Sequence, residues 1–223
     1  MEDLENIISE LATDPVMFVE AMLGVKPEKW QRKFLQNVMD NPRCAVKSGH
    51  GVGKTAVLSW LILWWLITRH PCKVVCTANT AHQLSDVLWA EAKKWGRQLP
   101  DVFYQQLEMK SDKINLEGAN DSYAVARVSR RENPEALQGF HSENLLFIID
   151  EASGVDDMIF EVGEGSLSTP NAKVVMTGNP TRTSGYFFNA FSAMRDRWTL
   201  QTVACKDSTQ VSPDYIEDMK LKY

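Results

Sequence analysis

The sequence predicts an α/β protein: a mostly parallel sheet flanked by helices in a three-layer arrangement. Three observations lead there. Short apolar runs bounded by polar residues, such as "RCAVKS", "NLLFIID" and "AKVVMTGN", have the character of buried strands. These runs alternate with helical segments, the order that builds a sheet covered on both faces. One run leads through a glycine-rich loop directly into a long apolar helix.

Taken in order, "MEDLENIISELATD" is acidic and amphipathic, unlike a secretory leader. "DPVMFVEAMLG" offers Asp14 as a helix N-cap, Pro15 at the first helical position and Gly24 as the stop. "PEKWQRKFLQNVMDN" is a second helix, ended by Pro42. The strand "RCAVKS", a loop and a helix over 54–69 follow. "KVVCTAN" is the next strand, and "TAHQLSDVLWAEAKKWGRQL" has helical periodicity through Leu84, Val87, Leu88 and Ala92. "KSDKINLEGANDSYAVARVSR" predicts two strands around a Gly-Ala-Asn-Asp turn. "NPEALQGF" is a short helix or turn. After the strands "NLLFIID" and "AKVVMTGN" come a helix in "GYFFNAFSAM" and a strand in "WTLQTVAC". Ser212 and Pro213 then open a final helix.

Composition bounds the function. With 223 residues the chain is long enough for one α/β domain with a substantial core. A net charge of −5 gives no global basic field, although a local basic stripe suffices for DNA. Cys44, Cys72, Cys76 and Cys205 form no C-x-x-C pair and no zinc-like spacing, so reduced thiols are expected. "AVLSWLILWWLIT" is shorter than the ~18 residues a membrane span needs and follows directly on Lys54-Thr55, so it reads as a core helix.

"KSGHGVGKT" matches the phosphate-loop pattern G-x-x-x-x-G-K-[ST], except that Ser48 stands at the first glycine position. Such a loop works mainly through inward-pointing backbone N–H groups. Gly49, Gly51 and Gly53 supply backbone freedom, with His50 and Val52 between them. Lys54 is placed to reach β- and γ-phosphates, and Thr55 to ligate Mg²⁺. The helix beginning at Lys54 aims its N-terminus at the phosphates.

"LLFIIDEAS" is an apolar strand ending in two acids. Asp150 suits the magnesium shell and Glu151 the polarisation of an attacking water. The N-K-x-D motif of a GTPase is absent. The interval from Lys54 to Asp150 accommodates an extra strand–helix pair, as in P-loop ATPases of the RecA-like kind with a catalytic glutamate. Thr177, Gly178 and Asn179, at the end of "VVMTGNP", are candidates to contact the γ-phosphate or the water and to report hydrolysis. Gln31, in "KWQRKFL", is the candidate reader of an adenine edge, with Trp30 or Phe34 beside the base. The alternative is a core helix in which Trp30, Phe34 and Leu35 pack.

Residues 27 to 181 resemble the N-terminal ATPase domain of the large terminase subunit of tailed bacteriophages. Trp30-Gln31, "KSGHGVGKT", "VVCTANTAHQLSDVLWAE", "NPEALQGFHSENLLFIIDEAS" and "VVMTGNPT" carry the resemblance. It implies an ATP- and Mg²⁺-dependent motor that drives double-stranded viral DNA into a procapsid, acting as a homo-oligomeric ring with portal protein and small terminase subunit. The expected place of action is the host bacterial cytoplasm, away from any membrane, and the isolated domain is expected to be monomeric. Lys54 and Thr55 take the phosphate-loop roles, Asp150 and Glu151 the magnesium and catalytic roles, and Thr177-Gly178-Asn179 the coupling role. The implied organisation is an N-terminal helical segment over 1–26, an ATPase core over 27–205 and the start of a lid or linker helix over 206–223.

Two departures accompany the resemblance. His50 stands where many relatives place an arginine, and an imidazole cannot replace a guanidinium fork. An arginine finger is therefore expected from Arg127, Arg130 or Arg131, supplied in cis or by a neighbouring subunit. The chain also stops at "IEDMKLKY", so the RNase H-like nuclease of full-length relatives is not expected here. Non-sequence-specific DNA contact falls to Lys93, Lys94 and Arg97, to Lys110 and Lys113, or to Arg195 and Arg197. A helicase-like translocase and a nucleotide-binding assembly module with little hydrolysis are the competing readings.

Overall fold

The computed structural model describes residues 2–128, 137, 139–166, 168–169 and 171–222. The chain opens with helices α1 (Glu2–Thr13), α2 (Pro15–Leu23) and α3 (Lys29–Asp40). Asp14 caps α2, accepting from the Val16 and Met17 amides at 2.9 Å, and Gly24 ends it in the left-handed conformation at φ 66°. Strand β1 (Arg43–Ser48) leads through the glycine-rich loop to α4 (Lys54–Thr68), and then to β2 (Cys72–Ala78).

A π-helix over Gln83–Trp89 runs into α5 (Ala90–Gly96), followed by the single turn α6 (Asp101–Tyr104). Strands β3 (Leu107–Met109), β4 (Lys113–Leu116) and β5 (Ala119–Ala126) come next. The remaining elements are β6 (Asn144–Asp150), α7 (Asp157–Ser166), β7 (Lys173–Gly178), α8 (Tyr186–Ala190), β8 (Thr199–Val203) and α9 (Pro213–Lys222).

The sheet has eight strands in the order β3-β4-β5-β2-β6-β7-β1-β8. Strands β5, β2, β6, β7, β1 and β8 pair in parallel, while β4 pairs antiparallel with both β3 and β5. The mostly parallel sheet expected from the sequence is thus present; the interval from Lys54 to Asp150 holds the added strand β2 with its following helix, and β7, later in the chain, lies between β1 and β6. Alternate residues of each strand face opposite layers. Cys44, Val46, Leu146, Ile148 and Val175 join α1–α5 in one core. Ala45, Leu145, Phe147, Ile149, Val174 and Met176 face α7 and α8 in the other.

Helix α4 lies at the centre of the first core and is apolar on all sides because it is buried on all sides. Helix α1 shares that core: the Trp64 indole N–H donates to the Leu11 carbonyl at 2.8 Å. Three expectations need correction. The turn expected over Gly-Ala-Asn-Asp is confined to Glu117-Gly118, and Ala119, Asn120 and Asp121 already belong to β5. The helical periodicity after β2 begins as a π-helix, and the helix expected over "GYFFNAFSAM" closes after Ala190, beyond which the chain turns. Strand β3 has no counterpart in the sequence reading, being too short to form an apolar run. The segment "NPEALQGF" lies mostly outside the described residues.

Candidate active site

The parallel strands deliver their motifs to one edge of the sheet, at their C-terminal ends. In α/β sheets this is where ligands bind. Ser48 closes β1 and is still paired across the sheet with Val203. That pairing explains why a glycine is dispensable there: the position is ordinary strand, and the Ser48 hydroxyl turns down onto the Gly49 carbonyl at 2.9 Å. The demand for glycine falls one residue later, since a Cβ on Gly49 would come within 2.3 Å of Cys205 Sγ. Gly51 and Gly53 then take left-handed backbone, at φ 73° and 90°. Val52 is fully buried and pins the loop to the core, whereas His50 is exposed on the loop's outer side.

Lys54, only 8% exposed, begins α4. Its ammonium donates to Asn179 Oδ1 at 2.5 Å and to the Gly49 carbonyl at 3.2 Å, and lies 3.8 Å from Glu151 Oε1. One cation thus ties together the loop, the end of β6 and the end of β7. Thr55 follows in the first turn of α4 and lines the same cleft. The cleft encloses about 360 Å³ between the loop, Lys54 to Ala56, Glu151 and the side chains of Val87, Glu91 and Gln210. A larger hollow of about 590 Å³ lies on the edge hairpin among Glu108, Lys110, Lys113 and Asn115. It contains none of the motif residues, so the chemistry points to the smaller cleft.

Asp150 is completely buried at the tip of β6. Its Oδ1 accepts from the Thr177 hydroxyl at 2.7 Å and from the Glu151 amide at 2.9 Å, and its Oδ2 accepts from Gln83 Nε2 at 3.1 Å. The Thr177 hydroxyl is therefore turned to Asp150 inside the protein. Glu151 has left-handed backbone, φ 48° and ψ 45°, which is costly for a residue with a side chain. This kink turns the glutamate back towards Lys54. Gly178 passes close to the same turn, for a Cβ there would lie 3.1 Å from the Ala152 amide nitrogen. The Ser153 hydroxyl donates to the Asn179 carbonyl, joining the β6 and β7 tips.

Gln31 is 1% exposed and both ends of its amide are engaged. Oε1 accepts from the Glu28 amide at 2.9 Å, and Nε2 donates to the Gly53 carbonyl at 3.3 Å. It braces the phosphate loop in this structure and offers no free edge to a base. Trp30, Phe34 and Leu35 are buried in the core beside it. Glu28 accepts from the Thr209 amide and hydroxyl at 2.8 and 2.6 Å, clasping the segment before α9 against α3. Burial raises the Glu28 carboxyl, but hydrogen bonds from Thr209, Ser208 and Trp30 outweigh it and hold the group below its ordinary value.

Three comparisons bear on this geometry. No protein-family model matches the chain. A probable large terminase subunit of Enterobacteria phage P7 is 28% identical over 182 residues. That alignment takes in 79% of this chain and 37% of the relative, so the chain spans little more than a third of the curated protein it matches. The ATPase domain of the Thermus phage P74-26 large terminase superposes with a TM-score of 0.69 at 16% identity, over 94% of each chain. The chain resembles the large terminase ATPase domain. Two more terminases share its fold. The HK97 bacteriophage large terminase gives a TM-score of 0.66 at 16% identity, over 86% of this chain and 43% of its own. The large terminase of a thermophilic bacteriophage, solved with ADP, gives 0.66 at 15% identity, over 87% of this chain and 48% of its own.

On this terminase ATPase fold the structure unites Ser48 to Thr55, Asp150, Glu151, Thr177, Gly178 and Asn179. It does not bring Arg127 to the cleft. That residue follows β5, four strands from β1 and so about 19 Å away at the usual strand spacing. Its guanidinium pairs with Asp112 Oδ2 at 2.8 Å on the edge hairpin. Arg130 and Arg131 lie outside the described residues. The sequence reading missed Gln83 and Gln210. Gln83 follows β2, whose neighbour β6 carries the acidic pair, and Gln210 lies between β8 and α9; a lone glutamine in such a place is too common to single out.

Proposed function

We propose that this chain is the ATP-hydrolysing motor domain of a viral DNA-packaging terminase. One observation carries the reading: the buried Lys54 ammonium is poised between Asn179, Glu151 and a loop of left-handed glycines at a helix N-terminus. This is an anion site with a general base on its far wall. Backbone amides of Gly49 to Thr55 would hold the phosphates, and Lys54 would exchange Asn179 for phosphate oxygens. Glu151 would take a proton from the water attacking the γ-phosphorus.

The donors present fit magnesium. Thr55 and Asp150 offer hard oxygens, and among the described residues no larger His, Cys, Asp or Glu cluster exists. Mg²⁺ is commonly held in this way, by one or two protein oxygens with phosphate and water completing the shell. When bound, it would neutralise charge developing on the β- and γ-oxygens.

Thr177, Gly178 and Asn179 suit a coupling role, because exchange of Asn179 off Lys54 alters the end of β7. In this reading residues 27–205 are the ATPase core, 1–26 a helical brace and 206–223 the beginning of a linker. The mechanical partner would be double-stranded DNA, gripped through phosphates, with the portal and small subunit completing a ring in the host cytoplasm. An arginine finger from a neighbouring copy fits the placement of Arg127 better than one in cis. Among the basic candidates for DNA, Lys94 is paired with Glu91 at 3.2 Å and Lys110 with Glu108 at 3.0 Å, so contact there would compete with existing pairs.

The test is ligand-dependent stability together with phosphate release. ATP with Mg²⁺ at a hundred times its dissociation constant should stabilise the fold by about 2.7 kcal/mol and be turned over. Gly53→Ala should lose that stabilisation. Its Cβ would strain the backbone at φ 90° and press on Gln31 Nε2 at 2.8 Å, disturbing the loop's brace. Absence of both stabilisation and phosphate release in the wild type would overturn the proposal.

A further inference from the structure

We infer that Gln83 is a positioning residue for the Asp150 carboxylate, fixing the orientation in which it meets the magnesium shell. The inference rests on the ATPase reading above. Asp150 is fully buried, and among the described residues no lysine or arginine nitrogen lies within ion-pair distance of it. A buried carboxylate in that state is costly unless donors and a cation satisfy it. Two of its donors, the Thr177 hydroxyl and the Glu151 amide, converge on Oδ1. Among the described residues Gln83 Nε2 is the single donor on Oδ2, at 3.1 Å. Without it only the Oδ1 end of the carboxylate keeps donors among the described residues, so Gln83 sets the tilt of Oδ2 and the lone pair it leaves for the magnesium shell.

The backbone supports this role. Gln83 is the first residue of the π-helix, and its amide is anchored to the Thr80 hydroxyl at 3.1 Å. Leu84, Leu88 and Trp89 bury the inner face of that helix, and the Trp89 indole N–H donates to the Lys110 carbonyl at 3.3 Å. The wide π turn lets one stretch of chain serve two surfaces. Gln83 reaches Asp150, while Val87 and Glu91 further on line the cleft. π-helical segments within helices are found frequently at functional sites. Groups that orient a metal-binding carboxylate without touching the metal typically matter 10- to 100-fold in metal affinity.

The experiment measures binding of a fluorescent, non-hydrolysable ATP analogue, first in EDTA and then across a MgCl₂ titration. Gln83→Ala should leave affinity in EDTA within about twofold of wild type, while the Mg²⁺ concentration for half-maximal effect rises about 10- to 100-fold. Gln83→Met, which keeps the length of the side chain and removes the donor, should show the same shift. A wild-type Mg²⁺ response in either variant overturns the inference. An equal loss of affinity in EDTA also overturns it, since that would mark a cleft wall rather than a positioning group. If the wild type binds no nucleotide, the ATPase reading fails and takes the inference with it. Failure confined to the variants' Mg²⁺ response leaves the ATPase reading intact.

Discussion

Glu151→Gln is expected to keep nucleotide affinity and to lose about 10²- to 10⁴-fold in turnover, the usual contribution of a positioned general base. The two side chains have the same shape, so the cleft geometry should survive. Glutamine tolerates the left-handed backbone at position 151 no worse than glutamate, so no strain is added or relieved. What changes is charge and basicity. The carboxylate lies 3.8 Å from Lys54 Nζ, and it would also face the γ-phosphate that Lys54 is to hold. Removing it takes away a like-charge repulsion on bound ATP as well as one partner of the lysine, so the dissociation constant should stay level or fall. An amide cannot accept the proton of the attacking water, and kcat should collapse. Glu151→Asp is the companion test. It keeps the charge but withdraws it by one methylene, giving an intermediate rate. Single-turnover phosphate release and equilibrium binding of ATP separate the two effects. A variant that turns over ATP as fast as wild type would remove Glu151 from the chemistry, and loss of binding with the rate per bound ATP unchanged would reassign it to substrate holding.

The parts of this molecule that were legible in the sequence are those encoded locally. Asp14, Pro15 and Gly24 bracket α2 through contacts within a few residues, and the apolar run "NLLFIID" ends where β6 ends. The phosphate-loop pattern was legible despite Ser48, because the signal sits in Gly51, Gly53 and Lys54, while position 48 is simply the last residue of a strand. Illegible features depend on partners distant in the chain. The bond from Gln83 to Asp150 spans 67 residues and the clasp from Thr209 to Glu28 spans 181. Gln31 shows the limit most clearly. A glutamine upstream of a phosphate loop suggests a base reader, but only the packing of α3 against the loop shows its amide committed to Glu28 and Gly53. Arg127 is a similar case: its sequence position just past a strand places it near the site, whereas the sheet order places it towards the far edge, against Asp112. The π-helix was read as an ordinary helix because one extra residue per turn barely disturbs apolar periodicity over so short a stretch.

Trp64→Ala is expected to destabilise the fold by about 3–5 kcal/mol, the range for removing a buried large aromatic side chain. For a chain of this size that corresponds to a fall in Tm of roughly 6–20 °C. Three losses coincide at this position. The indole is fully buried, so its removal leaves a cavity against α1 and α4. Its N–H is the donor to the Leu11 carbonyl, which would be left unsatisfied in an apolar setting. Its ring also carries the Arg69 guanidinium, 3.9 Å from the Trp64 centroid and 4.2 Å from that of Trp65. Burial pulls the Arg69 pKa down to about 10, so at neutral pH it stays charged and depends on those two rings, on the Thr68 hydroxyl at 2.7 Å and on the Ala12 carbonyl at 3.0 Å. Trp60 provides the comparison. It is similarly deep in α4, but its indole N–H has no acceptor among the described residues. Trp64→Phe should therefore cost about 1 kcal/mol more than Trp60→Phe, the worth of one hydrogen bond. Thermal melts followed by circular dichroism would measure both. The consequence reaches the cleft, because α4 carries Lys54 and Thr55 on its first turn: loosening the far end of α4 from α1 should lower the temperature at which nucleotide binding is lost by the same interval as the Tm. Equal Tm values for the two phenylalanine variants would show that the tie from α4 to α1 contributes nothing beyond packing.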